Sequence, residues 1–217
     1  MKVDKYELDE LLFLQLKSNF GLSLTEQLII EECIIKSLKR TEYCFKHSKN
    51  KYYNINGETI FNIFHSAQYC IFLYFLSNTI YQSVSKNKVI CEKIYLLNKL
   101  LNGLDLFYEV ELPDIFFTDH PVGAVIGRGK FSNHFSFTQS CTVGNNNGKY
   151  PIIGEGVKML GHSSILGSSK ISRNVFIAPY TCVIDQDIPE NCLVFGKSPK
   201  LKIVKKKPEY FKKLYGR

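Results

Sequence analysis

The spacing of apolar positions changes about halfway along the chain. Up to residue 102 they recur at helical intervals, with Leu28, Ile29, Cys33, Ile34 and Leu38 on one face of a 3.6-residue turn. Ser23-Leu24-Thr25-Glu26 precedes this run and fits a capping box, in which the serine and glutamate satisfy each other's backbone N–H groups. A second helix is predicted over 58–83 and a third over 86–101, with Asn102-Gly103 as its stop. Residues 52–57 read as a loop.

The second half follows another period. Ile153, Met159, Ile165, Ile171, Ile177 and Val183 stand six residues apart, and Val157, Ser163, Ser169, Val175 and Thr181 follow the first five by four. Small residues cluster just after the aliphatic position: Gly154, Ser172, Ala178. An earlier train, Phe131, Phe137 and Val143, also steps by six, with Val125 one step before it. Six fits neither a helix nor an ordinary strand. It is the period of hexapeptide β-helix repeats, in which three short strands and their turns make one triangular coil. The aliphatic residues point into the prism, and coils bury a core by stacking on their neighbours.

The two trains are out of phase. Val143 to Ile153 is ten residues, four more than the repeat allows, so part of Asn145-Asn146-Asn147-Gly148-Lys149-Tyr150-Pro151 must leave the coil. A loop on a rigid scaffold often carries function, and this one is read as a flap over a site at a subunit seam.

Composition narrows the setting. Of 217 residues 45% are hydrophobic and 22% charged, which excludes disordered and fibrous classes. The longest apolar stretch, 69–75, is too short to span a bilayer. Seven cysteines without a C-x-x-C pair read as reduced, mostly buried thiols of a cytoplasmic protein rather than a disulfide or zinc framework. The net charge of +8 favours anionic partners. Much of it lies in Lys205, Lys206, Lys207, Lys212, Lys213 and Arg217, read as a solvated basic tail over 204–217, with no nucleic-acid partner expected.

Leu104-Asp105-Leu106, then Thr118-Asp119-His120-Pro121-Val122-Gly123-Ala124-Val125-Ile126-Gly127, resembles the serine O-acetyltransferase family of hexapeptide-repeat acyltransferases. In that family an aspartate stands fifteen residues before the histidine of an Asp-His pair, as Asp105 does before His120. Gln139-Ser140-Cys141-Thr142-Val143-Gly144 matches the family's Gln-x-x-Thr-hydrophobic-Gly run. Asp187-Ile188-Pro189-Glu190-Asn191 and Gly196-Lys197-Ser198-Pro199-Lys200 resemble its closing segment. The resemblance implies an α+β fold: an N-terminal helical domain, 1–103, followed by a left-handed parallel β-helix, 104–203. It also implies acetyl-CoA as co-substrate and no metal.

The chemistry agrees with these residues. Moving acetyl from a thioester to an alcohol requires removal of the hydroxyl proton during attack, and histidine is the usual base. His120 is assigned as base, with Asp105 on its other ring nitrogen to fix the tautomer. His134 is a rival base and a candidate acceptor contact. By resemblance Asp119 contacts the acceptor, and Lys149 and Tyr150 stand where the family's loop carries Arg-His before proline. Gly144, Gly161, His162, Ala178 and Pro179 correspond to positions lining the CoA arm, and Lys197 and Lys200 are placed to meet its phosphates.

The missing loop histidine turns the expected acceptor toward a sugar or surface polysaccharide, with L-serine as the alternative. A non-catalytic, polyanion-binding scaffold is a further alternative. A zinc hydrolase on the same fold would need three histidines, for which His120, His134 and His162 exist. Hexapeptide acyltransferases build each site between two prisms, so a homotrimer, or a dimer of trimers, is expected.

Overall fold

A computed structural model describes residues 1–3, 5–48, 50, 52–83 and 87–215, with residues 5, 6 and 212–215 as backbone only. The chain forms two compact units, Met1–Glu109 and Val110–Arg217; the sequence pattern places the change of grammar at 103/104.

The first unit is helical. Its helices are α1 (Lys5–Phe20), α2 (Leu24–Lys46), α3 (Ser66–Gln82) and α4 (Lys88–Asn102). The capping box at Ser23 forms: the Glu26 N–H donates to Ser23 Oγ, and Glu26 Oε2 accepts from the Ser23 N–H at 2.8 Å. Gly103, left-handed at φ 61°, ends α4 as its sequence predicts. The helix expected over 58–83 begins at Ser66 instead. Residues 54–59 form a hairpin of β1 (Asn54–Ile55) and β2 (Glu58–Thr59), because Asn56 and Gly57 take the left-handed angles of a two-residue turn. The expected loop over 52–57 is therefore partly strand.

α3 is buried on all sides from Ala67 to Ile80, as expected of a helix packed against two others, here α2 and α4. Its polar residues survive there because they are paired. The Asn78 side chain accepts from Arg40 at 2.9 Å and donates to the Tyr108 carbonyl at 2.8 Å; Gln68 bridges the Asn62 N–H and the Tyr52 carbonyl. All seven cysteines are free, and burial pushes Cys70 and Cys91 up to about 12, so they remain thiols. The unit ends with the short strand β3 (Asp105–Leu106).

The second unit is a parallel β-coil of about five turns with three faces. One face stacks β4 (Phe116–Thr118), β7 (Phe135–Phe137), β10 (Lys158–Met159), β13 (Val175–Ile177) and β15 (Cys192–Lys197). The second stacks β5 (Val125–Ile126), β8 (Thr142–Gly144), β11 (Ser164–Leu166) and β14 (Cys182–Ile184). The third stacks β6 (Lys130–Phe131), β9 (Ile152–Ile153) and β12 (Lys170–Ile171).

The six residues of the later train are 0 to 2% exposed, and the five that follow them by four are equally buried. The corner glycine works as its position implies: a Cβ on Gly154 would stand 2.8 Å from the Ile171 carbonyl oxygen of the next coil. The earlier train needs one correction. Ile126, not Val125, points inward opposite Val143, because the tight Gly127–Gly129 corner advances the chain by five residues to Phe131 instead of six.

β15 turns back into β16 (Lys200–Lys205), an antiparallel partner that closes the end of the coil. Its outward lysines discourage further strand addition at that edge. The basic tail is not wholly solvated: α5 (Pro208–Tyr215) carries Phe211, which is buried edge-on against Phe176 with ring centroids 5.5 Å apart. Among the described residues, no helix is long and apolar enough to cross a membrane.

Candidate active site

The coil's register sorts the candidate residues onto its three corners. His120 lies two residues beyond Thr118, which pairs with Phe137, so it is level with Gln139; the same count carries to Gly161 and Pro179. One corner therefore gathers His120, Gln139, Gly161, His162, Ala178, Pro179 and Tyr180. Lys197 pairs with Cys182 at the far end of this corner, and Lys200 faces it across the β15–β16 turn.

His120 is pushed outward by a local insertion. From Thr118 to Val125 the chain advances seven residues, whereas from Phe137 to Thr142 it advances five. The two extra residues widen this corner alone, and the His120 side chain is 82% exposed. Its backbone is left-handed, with φ 49°, an uncommon state for a bulky residue. His120 Nε2 stands 3.5 Å from Asp119 Oδ1, so the neighbouring carboxylate is within reach of the imidazole.

Further along the corner, Ser140, His162 and Tyr180 also have positive φ, following Gly123 in the same column. The His162 and Tyr180 rings stack in parallel, centroids 4.7 Å apart and 3° from coplanar orientation, both facing solvent. The Gln139 side chain lies against Gly161, where any Cβ would come within 2.8 Å of its amide nitrogen. Gln139 and Tyr180 thus join the site without having been singled out as ligands. The motif contained Gln139; the signal for Tyr180 is its place one coil after His162.

The next corner holds the four-residue excursion. Asn146 and Lys149 exchange backbone hydrogen bonds of 3.1 and 3.0 Å, and Asn147-Gly148 turn with φ 50° and 76°. This is a tight hairpin of the Asn-Gly type, not a broad flap. Lys149 and Tyr150 are exposed beside it, and Gly144 lies at its foot against Leu166. Gly144 and Gly161 therefore occupy different corners. His134 occupies the third corner, in the column of Gly156, Asn174 and Asn191, with φ 63°. The three coil histidines do not converge, and among the described residues no group of three His, Cys, Asp or Glu side chains does.

Asp105 belongs to the first unit. Its two carboxylate oxygens accept from the Tyr95 hydroxyl at 2.8 Å and the Lys99 ammonium at 2.7 Å. Partial burial alone would raise its pKa, but the bonds from Lys99 and Tyr95 outweigh it and hold the carboxyl below the usual range. Asp105 is thus an oriented, ionised carboxylate at neutral pH.

Comparison with known proteins agrees with this fold. No protein-family model matches the sequence. A serine acetyltransferase of Staphylococcus epidermidis is 30% identical over 127 residues, covering 55% of this chain and 59% of the relative. The chain thus aligns with under two thirds of that relative's length. The crystal structure of the Neisseria gonorrhoeae serine acetyltransferase superposes with a TM-score of 0.70 at 22% identity, over 93% of this chain and 82% of that one. A serine acetyltransferase in complex with CoA gives 0.69 at 17% identity, over 91% and 83%. By its repeats, its coil and these likenesses, the chain is similar to serine acetyltransferases and shares their fold, N-terminal helices followed by a parallel β-coil.

Proposed function

We propose that the protein transfers acetyl from acetyl-CoA to the hydroxyl of L-serine, with His120 as general base. The observation that carries the proposal is the exposed, left-handed His120 on a corner widened by two residues, with the Asp119 carboxylate 3.5 Å away, on a coil similar to that of serine acetyltransferases. The serine hydroxyl oxygen attacks the thioester carbonyl while His120 takes its proton. The tetrahedral intermediate then expels the CoA sulfur, which regains a proton from the imidazolium. Asp105, held ionised by Lys99 and Tyr95, is assigned as the carboxylate that steadies the imidazolium; its spacing from His120 in the sequence supports this. Asp119 serves the amino-acid end of the acceptor.

The curated relatives and structural neighbours are serine acetyltransferases, one solved with CoA and the gonococcal enzyme also with serine. They favour L-serine over the sugar that the loop sequence suggested. One observation still favours the saccharide: Tyr150 stands exposed where the family's loop has histidine.

The sorting of residues onto corners supports a site shared between copies. Five residues separate Ser140 from Asn145, and at ~3.3 Å each the His120 corner and the hairpin are on the order of 17 Å apart in one coil. Gly161, His162, Ala178, Pro179, Lys197 and Lys200 from one copy, with Gly144, Lys149 and Tyr150 from the next, would then line a single cleft for acetyl-CoA and acceptor, as in a homotrimer.

Mass analysis of the product tests the acceptor. Purified protein with acetyl-CoA is offered L-serine beside a panel of sugars and acidic oligosaccharides. O-acetylserine as the main product is expected; acetylated saccharide with no acetylserine would overturn the serine assignment.

A further inference from the structure

We propose that Asp185 is a positioning residue that holds the 145–151 excursion in the shape that presents Lys149 and Tyr150 to the acceptor. This rests on the acceptor role given to that hairpin above.

Three successive coils meet at Asp185. Its Oδ1 accepts from the Ser168 N–H at 2.7 Å and the Ser168 hydroxyl at 3.0 Å, one coil below. Its Oδ2 accepts from the Asn146 side-chain amide at 2.5 Å, two coils below. Asn146 is the first residue of the hairpin, and both its backbone groups bond to Lys149, the last. One carboxylate therefore ties the hairpin's base to the rigid coil. The residue after Lys149 is Tyr150.

The arrangement depends on a missing side chain. A Cβ on Gly167 would lie 2.1 Å from Asp185 Oδ1 and 2.9 Å from the Asn146 Cβ, and Gly167 is left-handed at φ +69°. Only glycine lets the carboxylate lie across this corner. The bonds from Ser168 and Asn146, with the nearby Lys149 charge, lower the Asp185 pKa, so the brace stays ionised through the neutral range. Asp185 is exposed, so water competes for these bonds and they add little to coil stability. Their consequence is where the hairpin stands.

The test uses the full chain with Asp185→Ala, Asp185→Asn and Gly167→Ala, and reads two independent quantities. The first is tryptic cleavage after Lys149; the second is the split between serine KM, acetyl-CoA KM and kcat. The expected result for Asp185→Ala is cleavage and serine KM each raised about tenfold, with acetyl-CoA KM unchanged and the melting temperature retained. Gly167→Ala should reproduce the rise in serine KM. Asp185→Asn should recover most of the loss, because its amide still accepts from Ser168 and Asn146 can turn its own amide to match. Unchanged cleavage and KM would overturn the proposal, as would a general loss of stability with kcat and both KM values affected alike. Faster cleavage with unchanged serine KM would overturn the acceptor role of the hairpin. If the parent chain does not turn over serine, the functional reading fails, and the cleavage arm still decides whether Asp185 holds the hairpin.

Discussion

At the scale of single residues, the coil is governed by where a side chain cannot fit. Gly154 lies with the backbone of Ile171, Ser172 and Arg173 within 2.9 Å of any added Cβ. Gly154→Ala has only main chain to displace, so it should destabilise the coil by about 2 kcal/mol, read as a lower midpoint in denaturant. An unchanged midpoint would show that the corner can open. The Gly154 reading was available from the sequence, because a small residue follows the aliphatic position there, as it does at Ser172 and Ala178. The roles of Gly167 and Asp185 were not, since they depend on residues seventeen or more positions apart meeting on stacked corners. His120 was legible through its motif, but its exposure arises from a two-residue widening that appears only when Thr118 is paired with Phe137.

At the scale of elements, local signals succeeded where the chemistry was local. The capping box of α2 involves residues three apart, and it formed as written. Ser23→Ala should cost about 1 kcal/mol in the stability of the helical unit. Glu26 in the same box also receives the Lys93 ammonium at 2.7 Å. Burial raises its pKa, but Lys93 and Ser23 outweigh this and leave it below the usual value. Its stabilising effect is therefore full above the ordinary glutamate pKa and lost as pH falls through the lower folded value. The stability gap between wild type and Glu26→Gln should thus be largest near neutrality and close in acid; a gap that widens in acid would contradict the ion pair. The start of α3 was missed because Asn56-Gly57 makes a hairpin from a segment whose apolar content also suits a helix. The excursion after Val143 was predicted by counting alone, but its tight Asn-Gly hairpin form needed the pairing of Asn146 with Lys149.

At the scale of the whole molecule, the six-residue period made the coil legible, and the motif residues pointed to the serine acetyltransferases that the chain is similar to. Period and motif do not show which corner each residue joins, because that depends on the exact length of every corner. Once sorted, His120 and the 146–149 hairpin lie on different corners of the coil, so the proposed site requires a second copy to bring them together. Sedimentation should find a trimer or a multiple of it. Co-refolding an inactive His120→Ala chain with an inactive chain lacking 146–149 should restore activity at about a quarter of the sites, if copies assort at random and each site draws on two chains. No recovery from such mixtures would place base and hairpin in separate roles.

The most direct test of the account is acceptor-dependent release of CoA thiol from acetyl-CoA, measured with L-serine for the wild-type chain, His120→Ala and His134→Ala. The account predicts turnover by wild type and by His134→Ala, with a loss of about 10²–10⁴-fold in His120→Ala. Full activity in His120→Ala, or loss confined to His134→Ala, would contradict it.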